Sequence, residues 1–593
     1  MKLITTKNFL SLVMIIFSFS YCEVSSQTLT KITTGEFVND GGESFGISWA
    51  DFNNDGYPDL LVSNGGAAAV DVPNFLYFNN GDGTFSKINI GQIVTSSERS
   101  IGSTIADFNN DGYADVFITN RDGQNNSLFL NNGDSTFSRI TTGSIVQDGG
   151  NSNGSAWADY NNDGFVDLFV ANFFEQGFLY KNQDGNIFNS IITGYPVSET
   201  NTSISCAWGD YDNDGDTDLF VPNAAAAGKA NFLYNNNGDG TFSKVSTGSI
   251  VTDLRASMGG TWGDYDNDGD LDLFVANQGN FVNDLYINSN GTFTSLDSGE
   301  VVSEQSNSIS GSWIDYDNDG DLDLFVTNWQ NEKNFLYENS GFPDYLLTKI
   351  QSGEIVNDQE NTMGGAWGDY DNDGDLDLFI ANRGNQNNSF YRNDNPSNQW
   401  INIKCEGVVV NRSAIGTKVK IKATINGNSF WQMREINSQF GYNSQNDPRV
   451  HFGLGDAQSI DSLVIEWSSS STEVFTNIQP NNFYNAVQGT GISLITSVYE
   501  NFPKNPEGFY LFQNYPNPFN PTTKIEFQIA SPGFVSLKIF DITGKEIAAL
   551  INGSQSAGNH KIEFNGESLS TGIYFYQLKI DNYIETKKMT LLK

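Results

Sequence analysis

A string of the form W-x-D-Y-D-N-D-G-D-x-D-L-F-V-x-N, with variants, recurs seven times along the chain. Its first aspartate stands at 51, 107, 159, 210, 264, 315 and 369, so consecutive copies are 51 to 56 residues apart. Each copy holds short strand-like runs bounded by Gly, Asn or Asp, and none shows the pattern of an ordinary helix. Repeats of this length, built from four short strands, are typical of a β-propeller. We therefore predict an all-β protein that begins with a seven-bladed propeller over residues 27–397.

The two ends of the repeat array indicate how the ring closes. The N-terminal string T-K-I-T-T-G at 30–35 copies the last strand of an internal unit, S-R-I-T-T-G at 138–143. The seventh unit ends at Asn393 without such a strand. We therefore predict that residues 29–34 complete the seventh blade.

Tryptophan recurs two residues before the first loop aspartate. It stands at Trp49, Trp157, Trp208, Trp262, Trp313 and Trp367, and Ile105 replaces it in the second unit. Because the position keeps step with the strand pattern, we interpret it as packing between blades rather than as a ligand cage.

Each repeat carries an acidic loop with the pattern D-x-[DN]-x-D-G-x-x-D. Oxygen ligands at positions 1, 3, 5 and 9, a backbone carbonyl at 7 and a turn-forming Gly at 6 make a cage for a hard cation. Calcium fits this cage better than magnesium, which prefers a strict octahedron and retained waters. We predict about seven Ca²⁺ sites, which we call metal loops 1 to 7. Their side-chain ligands are Asp51, Asn53, Asp55 and Asp59; Asp107, Asn109, Asp111 and Asp115; Asp159, Asn161, Asp163 and Asp167; Asp210, Asp212, Asp214 and Asp218; Asp264, Asp266, Asp268 and Asp272; Asp315, Asp317, Asp319 and Asp323; Asp369, Asp371, Asp373 and Asp377.

Position 3 divides the loops into two groups. Metal loops 1 to 3 have Asn there, whereas metal loops 4 to 7 have Asp. Because more ligand charge tightens calcium binding, we predict tighter binding in loops 4 to 7. The ions sit in the repeated part of each unit, which favours a structural role over direct bridging to a ligand.

The net charge of −40 restricts the functions open to this chain. Residues 27–397 hold 13 basic and 54 acidic residues and therefore the whole deficit. Such acidity argues against binding to nucleic acid or to anionic lipid, which both require basic patches. With only two histidines, His451 and His560, little room remains for histidine-based catalysis or a zinc site.

The metal loops and the flanking W-x-D and L-F-V-x-N strings resemble the FG-GAP/VCBS repeats of integrin-alpha-type propellers. The resemblance covers roughly residues 29–397. It implies that calcium lies in the hairpin that joins the first two strands of each blade.

Residues 398–490 show strand patterns and predict a small all-β, sandwich-like domain. The strings I-G-T at 415–417, G-Y-N-S-Q-N-D at 441–447 and H-F-G-L-G at 451–455 resemble the ASPIC/UnbV domain, although Ser468–Ser470 replace its usual Pro and Gly. This family assigns no chemistry, and we interpret His451 as a strand residue. Cys206 and Cys405 are interpreted as buried small hydrophobic residues.

The two ends of the chain carry export signals. Residues 1–26 have the charged start and short apolar run of a signal peptide. After a linker at 491–506, residues 507–593 resemble the type A C-terminal sorting domain of the type IX secretion system, including N-Y-P-N-P-F-N-P at 514–521. The resemblance implies a second sandwich-like domain, contact with the secretion machinery, and a secreted or surface location in a diderm bacterium. We expect no integral membrane span after signal removal.

The loops between the second and third strands differ from unit to unit, which favours recognition. Each opens with an Asn and then diverges, and it offers Arg121, Phe173, Phe174, Trp329 and Arg383 as partner-binding candidates, with a packed loop as the alternative. We expect a non-catalytic, calcium-binding adhesion module for a glycan or protein. A polysaccharide-degrading enzyme and a purely structural matrix component stay open as alternatives, although no G-x-S-x-G or H-E-x-x-H string supports an enzyme.

Overall fold

The architecture was obtained from a computed structural model, which describes residues 29–65, 72–394, 397–468, 471–495, 510–511, 519, 521–529, 533–542, 545–555, 558–580 and 583–591. The predicted signal peptide at 1–26 and part of the predicted linker lie outside these ranges. The chain divides into two units, residues 1–495 and 496–593. Within the described ranges, no helix is long and apolar enough to cross a membrane.

Seven sheets of four principal antiparallel strands make up the repeat array, one sheet for each metal loop. This confirms the predicted all-β class and the propeller architecture. We number the sheets by their loops, and the strands run in chain order across sheets 1 to 6. The strands are Ser44–Ala50, Asp59–Asn64, Phe75–Asn79 and Phe85–Lys87 in sheet 1; Ser100–Ala106, Asp115–Asn120, Ser127–Asn131 and Phe137–Ile140 in sheet 2; Ser152–Ala158, Asp167–Gln176, Phe178–Asn182 and Phe188–Ile191, with Thr200–Thr202 beside the second, in sheet 3; Ala207–Gly209, Asp218–Val221, Phe232–Asn236 and Phe242–Lys244 in sheet 4; Ser257–Gly263, Asp272–Asn277, Asp284–Ser289 and Thr292–Ser295 in sheet 5; Ser308–Ile314, Asp323–Asn328, Phe335–Asn339 and Leu347–Lys349 in sheet 6; Thr362–Gly368, Asp377–Asn382, Ser389–Arg392 and Thr30–Ile32 in sheet 7.

Short elements connect the sheets. Single-turn helices follow the outer strands, and two-residue strand pairs link neighbouring loops. The α-helical turns are Glu36–Asn39, Gln92–Thr95 and Ser249–Thr252, the 3-10 turns are Ser144–Val146, Glu300–Val302 and Glu354–Val356, and the pairs are Gly41–Gly42 with Gln386–Asn387 and Val72–Pro73 with Ser97–Glu98.

The sheets form a closed ring. The first strand of each sheet contacts the first strand of the next, and sheet 7 contacts sheet 1 in the same way. Thr30–Ile32 pairs antiparallel with Ser389–Arg392, which confirms that the N-terminal strand completes the seventh sheet. The recurrent tryptophans are buried between sheets, as their spacing predicted. The indole N–H of Trp49 donates to Ala366 O at 3.2 Å, and the tryptophans of sheets 3 to 6 repeat this bond, whereas Trp367 does not.

The domain that follows the array consists of two four-stranded sheets with a shared apolar core that includes Ile401, Val419 and Leu463. Cys206 and Cys405 are both buried and free. Residues 491–494, predicted as the start of a linker, instead form a strand that pairs with residues 484–487. The strands are Val450–Gly455, Gln399–Glu406, Asn482–Val487 and Gly491–Leu494 in one sheet, and Asn428–Glu435, Lys418–Ile425, Ile460–Glu466 and Thr472–Phe475 in the other.

One segment of this second domain, residues 437–447, enters the middle of the ring, and we call it the channel segment. It contains the G-Y-N-S-Q-N-D string. It touches the first strand of six sheets and, in sheet 4, Ser205, which lies two residues before the first strand. The contacts in sheet order are Gln445 N to Ile47 O (2.8 Å), Ile105 N to Gln445 Oε1 (2.7 Å), Trp157 N to Ser438 Oγ (2.7 Å), Ser205 Oγ to Gly441 O (2.6 Å), a backbone bridge between Gly260 and Gly441, Tyr442 N to Ser310 Oγ (2.8 Å) and Trp367 N to Asn446 Oδ1 (2.9 Å).

Small residues on the first strands make room for the channel segment. A Cβ atom at Gly46 would lie 2.4 Å from Asn443 O, and one at Gly364 would lie 2.3 Å from Ser444 Oγ. Larger side chains at these two positions would therefore displace the segment.

The C-terminal unit also contains two sheets around an apolar core that includes Phe527, Leu537 and Tyr576. Its strands are Tyr510–Leu511, Thr522–Ile529 and Gly558–Asn565 in one sheet, and Glu546–Gln555, Gly533–Phe540, Gly572–Ile580 and Tyr583–Leu591 in the other.

Candidate metal centres and the opposite end of the channel

Each metal loop is the hairpin between the first and second strands of its sheet, and its backbone folds around the aspartate at position 1. In all seven loops the N–H of the position-6 glycine donates to that carboxylate, as Gly56 does to Asp51 at 2.8 Å. This glycine has φ near +90°, a conformation that residues with a Cβ rarely adopt. The sequence pattern therefore specifies a turn that gathers the acidic side chains.

Metal loops 4 to 7 bring three carboxylates together in each case. In each loop, ligand oxygens from positions 1, 3 and 9 lie within 4.8 Å of one another. Several of these oxygens are buried without a hydrogen-bond partner among the described residues, namely Asp212 Oδ1, Asp266 Oδ1, Asp315 Oδ1 and Asp371 Oδ1. A buried, unsatisfied carboxylate oxygen is costly, and a bound cation would satisfy it. The residues present therefore fit a hard cation such as calcium. The groups are Asp210, Asp212 and Asp218; Asp264, Asp266 and Asp272; Asp315, Asp317 and Asp323; Asp369, Asp371 and Asp377.

The electrostatics of these loops also favours a cation. Burial first, and then the charge of Asp319, raises the pKa of Asp317 to about 8. Burial likewise raises the pKa of Asp218 to about 9; the backbone N–H of Asn236 opposes that rise and the charge of Asp212 adds to it. Carboxylates held together in this way repel one another unless a positive charge lies between them.

The position-9 aspartate also braces the sheet. In all seven units it accepts the backbone N–H of an asparagine at the end of the third strand, as Asp272 does from Asn288 at 2.7 Å. Its second oxygen accepts the position-2 N–H in six of the seven loops. This residue therefore ties the metal loop to the strand ladder.

Metal loops 1 to 3 have a neutral asparagine at position 3. Its oxygen can accept the position-5 N–H, as Asp317 also does in loop 6, but in loops 2 and 3 its amide nitrogen additionally donates to an acidic side chain. Asn53 Oδ1 accepts the N–H of Asp55 at 2.9 Å, Asn109 Nδ2 donates to Asp111 at 2.9 Å, and Asn161 Nδ2 donates to Asp167 at 2.5 Å. In loop 3, Lys181 also lies 3.3 Å from Asp163. Loops 2 and 3 therefore satisfy part of their charge without an added cation.

The predicted ligands thus fall into three sets. The structure gathers positions 1, 3 and 9 of loops 4 to 7 into carboxylate triads. The position-5 aspartates Asp214, Asp268, Asp319 and Asp373 are not members of those triads, and their predicted role as ligands stays a prediction. The same holds for the twelve residues predicted in loops 1 to 3.

Two rings of asparagine side chains, which the sequence reasoning missed, join the metal loops to one another. The asparagine at the end of each third strand donates to the position-2 carbonyl of the preceding loop, as Asn288 does to Tyr211 O at 2.7 Å. The asparagine at position 4 donates to the next loop, as Asn213 does to Asp270 at 2.7 Å. Because these asparagines recur in all seven units, the sequence alone could have indicated that they matter to the fold.

The second domain covers the metal-loop end of the ring. Lys418 Nζ lies 2.9 Å from Asp210 Oδ2, and Arg449 donates to Asp369 O at 2.8 Å. Arg434 is half-buried, and its pKa is lowered by burial while the charges of Asp315 and Asp264 oppose that change. His451 is buried, and its Nε2 lies 2.6 Å from Asn318 Oδ1. Basic side chains of the second domain therefore lie against the acidic loops.

The opposite end of the channel gathers all five partner-binding candidates. Phe173 and Trp329 pack against the apolar cluster around Tyr442, the tip of the channel segment. Phe174 lies 4.2 Å from Phe173, centroid to centroid, and is 65% exposed. Arg121 and Arg383 both lie over the ring of Phe45, a member of the same cluster. We call these five residues, Arg121, Phe173, Phe174, Trp329 and Arg383, the axial patch.

The fold and the carboxylate triads define a class, that of β-propellers with an acidic, cation-type loop in each repeat. Matches to the FG-GAP-like repeat family occur at residues 51–118, 107–170, 159–221, 224–275, 264–326 and 315–380, and together they cover more than half of the chain. The protein therefore belongs to the FG-GAP-like repeat family. Residues 407–493 match the ASPIC and UnbV family, and residues 513–591 match the secretion system C-terminal sorting domain.

Among curated proteins, the chain is similar to cartilage acidic protein 1. It is 28% identical to the Mus musculus protein over 161 residues, which is 26% of this chain and 24% of that protein. It is 31% identical to the Xenopus tropicalis protein over 137 residues, which is 22% of this chain and 21% of that protein. The matches therefore span about a quarter of the length of these relatives or less.

Among solved structures, the chain is similar to PorZ, described as an essential surface component of the type-IX secretion system of Porphyromonas gingivalis, at 11% identity and a TM-score of 0.19, with 93% of this chain and 82% of that one covered. It is also similar to the Dos1 propeller at 11% identity and a TM-score of 0.36, with 62% and 95% covered.

The sorting domain gives the location of the protein. A C-terminal domain of this kind directs proteins to the type IX secretion machinery of Bacteroidetes-type bacteria. The chain is therefore a secreted or cell-surface protein, as the sequence predicted, and it interacts with that machinery.

Proposed function

We propose that the protein is a calcium-stabilised, non-catalytic binding or adhesion module that holds an extracellular glycan or protein on its axial patch. The composition and position of that patch carry the proposal. Three aromatic side chains and two arginines from four different sheets converge at the one end of the ring that the second domain leaves uncovered. Aromatic residues and arginine are the residue types that dominate binding energy at recognition surfaces.

The proposal includes calcium at the metal loops. There it stabilises the ring and does not coordinate the ligand. The unsatisfied carboxylate oxygens of loops 4 to 7 support a bound cation. The asparagine rings and the covering second domain support a structural role, because they leave the loops engaged with the protein itself. About seven sites would contribute, with loops 4 to 7 the tighter ones.

A non-catalytic role is supported by what the reactive groups already do. His451 is buried against Asn318, and burial lowers its pKa to about 3, so it stays neutral. The clustered aspartates of loops 4 to 7 belong to the candidate metal sites. These groups are therefore not available as an exposed acid and base pair for glycosidic bond cleavage.

Binding to an array of glycans and matrix proteins tests the proposal. The mature protein is compared with Trp329→Ala and with Trp431→Ala, a tryptophan of the second domain that is 39% exposed and lies outside the patch. We expect at least one ligand whose binding falls about tenfold or more in the first variant and is retained in the second.

The alternatives give different results in the same material. Steady release of reducing ends from a bound polysaccharide would identify a degrading enzyme. Absence of any ligand, with an intact fold, would favour a purely structural matrix component. Normal binding by Trp329→Ala would remove the axial patch as the binding surface.

A further inference from the structure

Two arginines at the axial patch stand out in a strongly acidic array. Arg121 from sheet 2 and Arg383 from sheet 7 lie on the ring of Phe45 in sheet 1, with guanidinium carbons 5.8 and 5.2 Å from the ring centroid. The two guanidinium carbons are therefore at most about 11 Å apart. Only 13 of the residues between 27 and 397 are basic. The close approach of Arg121 and Arg383 therefore suggests a function.

Arg121 and Arg383 make fewer polar contacts with the protein than Arg449 does. Arg449 is half-buried and contacts Asp447, Asn372 and the Asp369 carbonyl. In contrast, the ion pair of Arg383 with Glu43 uses Nε at 3.2 Å, and its side chain remains 28% exposed. Arg121 is half-buried; its Nε, at 2.9 Å, and its Nη2 both donate to the neutral Oδ1 of Asn153, and its side chain also hydrogen-bonds with Tyr442. Both guanidinium groups therefore retain N–H donors for an anion from solvent.

Aromatic surfaces surround this pair of charges. Phe173 and Trp329 pack on the cluster that contains Phe45 and Tyr442, and Phe174 extends from it into solvent. Flat apolar faces beside the arginine N–H donors suit a ring that presents C–H faces and polar edges.

We propose that the axial patch binds a carboxylate-bearing sugar within a mostly neutral glycan, and this proposal rests on the binding function proposed above. A carboxylate matches the planar donor fork of arginine, and the sugar ring matches the aromatic faces. The overall charge restricts the ligand further. The protein's net charge of −40 repels a dense polyanion. The carboxylates of the ligand must therefore be widely spaced along the glycan.

Glucuronoxylan, which carries single uronic acids on a neutral backbone, is the probe. Its binding is measured by titration calorimetry beside the same polysaccharide after reduction of its carboxyl groups to alcohols, and beside polygalacturonate, all at one fixed calcium concentration. We expect glucuronoxylan to bind about tenfold or more tightly than its reduced form and more tightly than polygalacturonate, because hydrogen bonds to a charged partner are lost on reduction.

The variants Arg121→Gln and Arg383→Gln test the two contacts. Each is expected to lose about tenfold in binding to glucuronoxylan and little in binding to the reduced form. Arg139→Gln is the matched control, because Arg139 pairs with Glu98 on the outer part of sheet 2 and lies outside the patch. Melting temperatures of all variants show whether the fold is kept.

The outcomes separate this inference from the proposed function. Equal binding of both forms of the polysaccharide, binding that ignores both arginines, or preference for polygalacturonate through calcium bridges would overturn the inference and leave a glycan-binding module. Arginine-dependent binding to protein carboxylates alone would also overturn it. Absence of binding to every glycan and matrix protein would instead remove the proposed function.

Discussion

The two ends of the channel are built on opposite principles. At one end, each sheet contributes the same acidic loop, and these loops have buried position-9 aspartates, are cross-linked by asparagines and lie under the second domain. At the other end, each sheet contributes a different loop, and side chains such as Phe174 reach solvent. The comparison separates residues that hold the ring together from residues that are free to recognise a partner. Changes at the first end should therefore affect stability, and changes at the second should affect binding.

Removal of calcium should have the largest effect. An ion at 1,000 times its dissociation constant contributes about 4 kcal/mol per site, and the loops supply several sites. We expect EDTA to lower the melting temperature far more than sodium chloride at the same ionic strength, because the loss is local to the loops. Differential scanning calorimetry measures both. An equal response to chelator and salt would contradict the metal-loop assignment.

Tyr442→Ala tests the channel segment, because Tyr442 is a buried residue at the tip of that segment. Loss of a large buried ring costs about 3 to 5 kcal/mol, so the variant should unfold at a clearly lower denaturant concentration. The matched control is Phe342→Ala, an aromatic residue that is 57% exposed. A stability close to that of the control would show that the segment merely fills the channel.

Asn288→Ala tests the asparagine rings. The side chain donates to Tyr211 O of one loop and to Leu271 O of its own sheet, at 2.7 and 3.0 Å. Removal leaves two buried carbonyls unsatisfied, and we expect a loss of about 1 to 3 kcal/mol in chemical denaturation. Asn237→Ala, which removes exposed bonds to Thr241 and Ser243, should cost much less. Similar losses in both variants would deny the rings a stabilising role.

Asp266→Asn tests the division among the metal loops. Loss of one ligand charge in loop 5 should weaken calcium binding there on the order of tenfold. Asn53→Asp should strengthen loop 1, and Asp297→Asn, which removes an exposed charge outside the loops, should change neither. Isothermal titration resolves these changes, and the reverse order of the first two would refute the predicted affinity ranking.

Phe174→Ala should have the smallest effect on stability. The side chain is 65% exposed, so the free energy of unfolding should change by about 0.5 kcal/mol or less. Binding to the axial-patch ligand should nevertheless fall. A stability loss comparable to that of Tyr442→Ala would mean that the patch belongs to the core.

The sequence predicted what the repeats display in register. The position of each acidic loop, the tryptophans between sheets and the closing strand at Thr30–Ile32 all followed from aligning one unit with another. The divergent loops also indicated the five axial residues, but their meeting at one point required the ring geometry.

Contacts between distant, unrepeated residues could not be predicted. The contact of Lys418 with Asp210 and the contacts of the channel segment with all seven units depend on how the second domain docks on the propeller. No periodicity links those residues, because each occurs once. The asparagine rings are an intermediate case, since their recurrence was visible but their partners were on neighbouring sheets.

The closing strand cannot pair until the last repeat of the newly made chain has been synthesised. Thr30 is synthesised near the start, whereas its partner Arg392 emerges only after all seven repeats. At about 5 to 20 residues per second, the first strand waits roughly 20 to 70 seconds for its neighbour. During that interval sheet 7 does not exist and the incomplete ring exposes unpaired edges, which is when such a chain is most prone to aggregate.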